Sequence, residues 1–350
     1  MIRKGEKIVV MGGSFNPPTL AHYRLMKEAI DALNADIGFF VPVSDAYLKR
    51  KMRHCHPPVV LTEELRIRML KTMCTDSRMQ VCEKEIGAIE PRTMPTLMAL
   101  QEEYPDAELY FLMGADKLKL LVHMTEKRDF LTMFKVVLFS RENGMIENTM
   151  EGDEVLSSYL DCIVTLPQPE GTEAISSSII RERMLEGESC EDMLCSGVWE
   201  MFKGFSPADF PDMIDKFKGE YDFLSNRFHW RFEWQGLVYG SAEAAFQASK
   251  CTDESERKVL ASCSADKAAM RGKDIVPSPN WEEARLGIME SIIRAKFEQN
   301  PILMRRLKET GNRLLINGNN KQETYWGVDL YSWQGENHLG QILMRIREGL

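Results

Sequence analysis

Residues 7–22 read KIVVMGGSFNPPTLAH, an apolar run that ends in two glycines and opens within a few residues onto a helix. Lys7–Met11 has the length and apolar character of a buried strand, and Gly12-Gly13-Ser14 turns the chain sharply. From Leu20 to Asn34 the apolar residues Leu25, Met26, Ala29, Ile30 and Leu33 fall at helical spacing. Glycines at a strand end let backbone N–H groups come close to a ligand. The helix start beyond them adds unsatisfied donors and a positive dipole, a place for phosphate. Thr19 and His22, three residues apart, share one side of the first turn and both point at the same anion.

Working outward, strands and helices alternate. Ile37–Val43 reads as a buried strand and Thr62–Met73 as a helix capped by Thr62, with Glu63 and Glu64 in its first turn. Met79–Glu83, Glu108–Met113, Lys135–Ser140 and Cys162–Leu166 read as strands, with a helix at Met94–Tyr104 and two more at Ser177–Leu185 and Met193–Phe202. Such alternation with continuous apolar strands predicts an α/β domain, a doubly wound parallel sheet covered on both faces. Residues 205–212, with two prolines and small polar residues, read as a linker between a domain over 1–204 and a second over 213–350. The second carries five of the six tryptophans: Trp230, Trp234, Trp281, Trp326 and Trp333. Helices are predicted there at Ala242–Lys250, Glu254–Cys263, Ala265–Arg271, Trp281–Glu298, Pro301–Thr310 and Leu339–Arg347. Strands are few, at Trp230–Trp234 and Leu237–Tyr239, so this domain is a mostly helical α+β unit.

Composition agrees with that division. A chain of 350 residues is long for one core, and 44% hydrophobic with 28% charged residues suits a globular protein. The net charge of -9 argues against a non-specific nucleic-acid binder. No apolar run reaches the length of a membrane span, and the charged opening residues lead into a strand, with no leader to be read. The eight cysteines include no Cys-x-x-Cys pair and read as reduced thiols. His54-Cys55-His56 lacks a second ligand pair at finger spacing, so no metal ligands are assigned.

The second phosphate element is Ile175-Ser176-Ser177-Ser178-Ile179-Ile180-Arg181. Serines at a helix start offer hydroxyls and N–H groups, and Arg181 adds a planar, permanently charged fork. GGSFNPPTLAH and ISSSIIR together resemble the two signatures of the nicotinamide/nicotinate mononucleotide adenylyltransferases. Pro42–Lys49 (PVSDAYLK) and Leu112-Met113-Gly114-Ala115-Asp116 are further matches, and the resemblance covers about residues 5–200. It implies that Gly13, Ser14, Phe15, Thr19 and His22 meet the ATP phosphates, and that Ser176, Ser177, Ser178 and Arg181 grip the β,γ-phosphates. It also implies that Gly114 and Asp116 hold the adenosine ribose and Lys49 the mononucleotide phosphate. The implied reaction is attack of a mononucleotide phosphate on the α-phosphorus of ATP, with Mg2+ accompanying the nucleotide and His22 and Arg181 as the catalytic pair. Three departures from the pattern stand out. Thr19 replaces the first His of H-x-G-H, Ala21 replaces its glycine, and Pro91-Arg92-Thr93-Met94 lacks the aromatic that stacks on the pyridine.

In the second domain, Glu243, Gln247 and Lys250 fall on one helix face among alanines and Phe246. A partly buried lysine is an amine nucleophile in waiting and a partly buried glutamate an acid or base, although an ordinary helical salt bridge has the same spacing. Trp281, Tyr325 and Trp326 fill a core or flank a flat base. Phe223-Leu224-Ser225-Asn226, the Glu243–Lys250 stretch, Lys296-Phe297, Thr310-Gly311, Trp326-Gly327 and Gly335–Arg347 resemble the NADAR (YbiA-like) family over about residues 215–350. Its members are N-glycosidases that split a phosphoribosylamine intermediate or remove ADP-ribose from guanine. The resemblance implies catalysis by Glu243 and Lys250, with Schiff-base capture of ribose C1′ by Lys250. It assigns Asn226, Gln247, Trp281, Glu323, Trp326 and Asn337 to the pocket. Glu323 stands where the family has an Asp.

The expectation is therefore a cytoplasmic bifunctional enzyme of NAD and ADP-ribose metabolism. Its partners are ATP, a pyridine mononucleotide and an ADP-ribosyl or phosphoribosyl substrate, with ADP-ribosylated nucleic acid left open. The rival readings are an N-terminal nucleotide sensor that regulates the glycosidase, or a transferase with another phosphorylated acceptor.

Overall fold

The computed structural model describes residues 5–114, 123, 127–140, 153–277 and 280–350. Among these, six parallel strands form the first sheet: β1 Lys7–Gly13, β2 Ile37–Pro42, β3 Met79–Val81, β4 Glu108–Gly114, β5 Lys135–Ser140 and β6 Ile163–Pro167. Their order across the sheet is β3-β2-β1-β4-β5-β6. Every adjacent pair is parallel. Strand order reverses between β1 and β4, which opens a crevice beyond their carboxyl ends. Side chains alternate across the sheet as the strand period of two requires. Val9, Met11, Val137 and Phe139 enter one core layer, while Ile8, Val10, Val136 and Leu138 enter the other.

The helices described here are α1 Leu20–Leu33, α2 Asp45–Met52, α3 Glu63–Met73, α4 Thr93–Glu103, α5 Lys127–Met133, α6 Glu154–Ser158, α7 Ser177–Glu186 and α8 Ser196–Phe202. Their ends follow from local chemistry. The Thr62 hydroxyl accepts the Leu65 N–H at the start of α3, and Ser176 accepts from Ile179 at the start of α7. The last turn of α1 closes on Asn34 at φ 49°, and α7 on Gly187 at φ 75°, both left-handed. The charged stretch DAYLKRKM carries too weak an apolar pattern to be read as a helix, yet it forms α2, burying only Leu48 and Met52.

The chain divides into two compact units, Met1–Met52 with Val59–Phe210, and Arg53–Pro58 with Pro211–Leu350. Within the stretch read as a linker, Pro207–Asp209 forms one 3-10 turn, and Phe205 and Phe210 pack with the core of the first unit.

The second unit contains α9 Ala242–Ala248, α10 Glu254–Ala261, α11 Ala265–Arg271, α12 Trp281–Glu298, α13 Pro301–Glu309 and α14 His338–Glu348. The two-stranded pairs are small. β7 Met213–Ile214 runs parallel to β10 Leu314–Leu315, and β11 Gly318–Asn319 runs parallel to β12 Val328–Asp329. β8 Phe232–Trp234 and β9 Leu237–Tyr239 form a hairpin whose two turn residues, Gln235 and Gly236, both have positive φ, as a tight right-twisted hairpin demands. Its core gathers Ala244, Ala245 and Ala248 of α9, Ile292, Ile293 and Phe297 of α12, and Leu339, Ile342, Leu343 and Ile346 of α14. The α14 set is the i, i+3, i+4, i+7 face of an amphipathic helix. Among the described residues no helix is long and apolar enough to cross a membrane, and all eight cysteines are free thiols.

Candidate functional site

In the first unit, the loop after β1 and the start of α7 meet although some 160 residues separate them. Ser177 donates its hydroxyl to Pro17 O at 2.7 Å, and Arg181 donates a guanidinium N–H to Asn16 O at 2.8 Å. A second nitrogen of Arg181 reaches Ser178 Oγ at 3.1 Å. Between them lies a cavity of about 300 Å3 whose polar lining includes Ser14, His22, Lys51, Ser177, Ser178 and Arg181. Gly12 and Gly13 from β1, and Gly114 from β4, complete the wall at the crevice between the two strands. Among the described residues that line it, the charged side chains are the cations Lys51 and Arg181.

His22 is fixed by the residue that caps its helix. The Thr19 N–H donates to His22 Nδ1 at 3.0 Å, and Thr19 Oγ1 lies 2.8 Å from the same nitrogen. With Nδ1 accepting, the proton of a neutral imidazole resides on Nε2. The Phe15 ring packs against the imidazole edge, centroids 5.0 Å apart, and holds its plane. Thr19 itself is 1% exposed and does not line the cavity. Its hydroxyl orients His22 where the resemblance implied a contact with phosphate, because the N-cap position turns that hydroxyl back over the first turn.

Lysine placement also departs from expectation. Leu48, Lys51 and Met52 share the face of α2 that lines the cavity. Lys49 is two positions from Lys51, roughly 200° around a 3.6-residue turn, and does not line it. Lys51 Nζ donates to Ser14 Oγ at 3.0 Å. Ser176 does not line the cavity either and caps α7, while Asp116 lies outside the described residues.

Sequence reasoning missed Asn16 and Arg66. Asn16, fully buried, donates to Val59 O at 2.7 Å and accepts the Leu61 N–H at 2.9 Å. Arg66, also fully buried, donates to Ser14 O at 2.9 Å, Leu61 O at 3.2 Å and Asp45 Oδ1 at 3.0 Å. Desolvation pulls its guanidinium below the ordinary value and the Asp45 carboxylate opposes that pull. An arginine stays charged regardless. The only sequence signal was one arginine inside the apolar face of α3. Beside the segment without a stacking aromatic, Glu85 is buried and accepts the Thr96 hydroxyl at 2.9 Å; burial pushes its carboxyl up.

In the second unit the predicted face forms on α9. Gln247 donates to Glu243 Oε1 at 2.8 Å. Lys250 falls beyond the last helical residue, yet its N–H still reaches Gln247 O at 3.2 Å, which keeps its side chain on the same wall. Lys250 Nζ donates to Gly272 O at 3.1 Å and stands 5.7 Å from the centre of the Trp281 ring. Burial lowers the Lys250 pKa, opposed first by the Glu243 charge. Phe246 joins the two tryptophans, 5.0 Å from Trp281 and 5.3 Å from Trp326 between ring centres. Asn226 accepts the Glu243 N–H on its backbone carbonyl at 2.9 Å, while its side-chain Oδ1 is buried without a bond.

Two residues assigned to this pocket belong to its frame. Glu323 Oε1 accepts the N–H groups of Tyr325 and Trp326 at 3.0 and 2.8 Å, so it shapes the turn that presents Trp326. Asn337 bonds Leu315 O and the Asn317 N–H, both at 2.9 Å, and ties the start of α14 to β10. Lys296, an anchor of the resemblance without an assigned role, is fully buried in α12 and donates to Phe223 O at 2.8 Å and Ser225 O at 2.9 Å.

Comparison with known proteins divides the chain as its cores do. Residues 10–183 match the cytidylyltransferase-like family and residues 210–350 match the NADAR domain. A probable nicotinate-nucleotide adenylyltransferase of Halalkalibacterium halodurans is 26% identical over 192 residues, 54% of this chain and 84% of that protein. One from Shouchella clausii is 28% identical over 185 residues, 52% of this chain and 86% of the relative. The NMR structure of the E. coli protein YbiA shares 32% identity, covering 40% of this chain and 85% of that one, with a TM-score of 0.37.

Proposed function

Since the chain belongs to the cytidylyltransferase-like family in its N-terminal part and to the NADAR family in its C-terminal part, we propose that it transfers AMP from ATP to a pyridine mononucleotide and hydrolyses an N-riboside at a second site. The observation that carries the first half is the convergence of two helix starts on one cavity holding His22, Lys51 and Arg181. The acceptor phosphate oxygen attacks the α-phosphorus of ATP in line, the bond to the β-phosphate oxygen breaks, and pyrophosphate leaves with its electron pair. No proton need leave the acceptor, so the protein supplies alignment and charge stabilisation. His22 donates from Nε2–H to the phosphate oxygens as charge builds, Arg181 and the serines at the start of α7 receive the leaving pyrophosphate, and Lys51 faces the acceptor phosphate. Mg2+ enters on the nucleotide as part of the substrate.

The names of the two adenylyltransferase relatives favour nicotinate mononucleotide as the first acceptor to test. The sensor reading is motivated by Ala21, which is buried in α1, and by the missing stacking aromatic. Incubation with ATP and either pyridine mononucleotide should release pyrophosphate and yield the dinucleotide. ATP binding without pyrophosphate release from any acceptor, phosphopantetheine included, would return the sensor reading.

For the second unit the supporting observation is the wall of Glu243, Gln247, Lys250, Trp281 and Trp326. There a carboxylate and a desolvated amine stand beside aromatic faces. Capture of ribose C1′ by the Lys250 amine expels the base, with Glu243 managing the proton, and water then releases the sugar. ADP-ribosyl and phosphoribosyl N-glycosides are the substrates to assay, with the free base as the product measured.

A further inference from the structure

Glu243 and Lys250 sit on one wall but form no ion pair with each other among the described residues. Each has a different partner, and the partners touch. The Glu243 carboxylate accepts from Gln247 Nε2, and the Lys250 amine donates to Gly272 O. Gln247 Oε1 rests against Gly272 so closely that a Cβ built there would lie 1.9 Å from it. An ordered chain results: Glu243, Gln247, Gly272, Lys250.

The direction of the Gln247 amide follows from its neighbours. Turned the other way, its oxygen would face the Glu243 carboxylate and the two would repel. The oxygen must therefore fall against residue 272, where only a glycine leaves room. Gln247 is 9% exposed, and its Oε1 is buried with no hydrogen bond. A buried, unbonded oxygen costs free energy, so a side chain that keeps one invites an explanation beyond packing.

We infer that Gln247 and Gly272 are positioning residues that hold the Lys250 amine away from the Glu243 carboxylate, so that a lone pair remains available to attack a sugar carbon. This rests on the reading of Lys250 as the nucleophile. A direct pair would favour the ammonium, which has no lone pair to donate. The charged and titratable groups acting on Lys250 are Glu243, Cys251 and Glu282, each of which favours the ammonium, against the dominant desolvation that disfavours it. The Trp281 face also favours the cation. Distance from Glu243 is thus what the spacer controls.

The test needs no knowledge of the natural substrate. The full chain is incubated with ribose 5-phosphate and sodium cyanoborohydride over a range of pH, and peptide mass spectrometry follows modification of each lysine. The amine adds to the C1 aldehyde, water leaves, and hydride from cyanoborohydride converts the imine to a stable secondary amine. Wild-type Lys250 should label faster than surface lysines, with a midpoint below the ordinary lysine range. Q247A should move that midpoint up by about one pH unit and slow labelling at pH 7 roughly tenfold, since one pKa unit is tenfold in free amine. G272A, which displaces the Gln247 amide from the other side, should act in the same direction, and circular dichroism checks the fold of each variant. Selective wild-type labelling with unchanged profiles in a folded variant overturns the spacer while leaving the nucleophile reading intact. Wild-type Lys250 labelling no faster than surface lysines removes both.

Discussion

The two units build their candidate sites from different materials, as the two proposed reactions would require. The first site is made largely of backbone: strand ends, two helix starts and loops stitched together by Asn16, Arg66, Ser177 and Arg181. Its Arg181 carries a permanent charge, which suits the proposed transfer, where the substrate brings its own negative charge and no proton has to move. The second site is made of side chains on one short helix and its aromatic surroundings, and its proposed chemistry depends on an amine able to lose its charge. A backbone cradle distributes its work over many contacts, whereas the amine site concentrates it in one or two atoms. Single substitutions should therefore be graded in the first unit and near-absolute in the second.

The largest expected effect tests that contrast directly. K250A should reduce N-riboside hydrolysis to background and E243A should lower it by about 10²–10⁴-fold, while pyrophosphate release from ATP stays at the wild-type rate. Hydrolysis surviving both changes would erase the contrast. Next in size, H22A removes one preorganised donor, and kcat for adenylyl transfer should fall on the order of 10²–10³-fold with hydrolysis unaffected. A smaller effect separates two neighbouring lysines. K51A should raise KM for the mononucleotide roughly tenfold, the scale of one charge-assisted hydrogen bond, whereas K49A should leave it unchanged. The reverse order would mean that α2 presents its other face to the acceptor.

The smallest prediction concerns stability. Burial pushes the Lys296 amine down to about 7 from an ordinary 10.5. Between those values the unfolded chain binds the extra proton and the folded chain does not, so this residue's contribution to stability rises with pH across that window. Chemical denaturation of the second unit, followed by tryptophan fluorescence at several pH values, should show that slope. In K296M the slope should be absent, and an unchanged slope would reassign it to another group.

Much of this was legible in the sequence because periodicity and capping are local. The strand from Lys7, read to Met11 and running on to Gly13, the Thr62 and Ser176 caps, and the α12 boundaries at Trp281 and Glu298 were set by residues a few positions apart. The convergence of the two phosphate elements was inferred from their chemistry and appears as bonds spanning some 160 residues. What escaped was decided by facing and by long-range partners. Lys49 and Lys51 are equivalent in a string but face opposite ways on a helix. Arg66 stands out only as an arginine on an apolar helix face, and its partners Ser14, Leu61 and Asp45 lie far off or across a turn in the string. Thr19 and Asn337 carry the right chemistry for a ligand, yet their polar atoms bond other parts of the chain. Gly272 gave no signal at all, since the reason for its missing side chain lies across the fold in Gln247.

The arginine at 66 has a consequence for how nucleotide arrives. All three of its bonds are to groups of the chain itself, so the order of the loop around Ser14 rests on internal contacts and does not require the proposed nucleotide. Calorimetric titration should then show a heat-capacity change no larger than the buried ligand surface alone accounts for, without the extra increment that accompanies coupled folding.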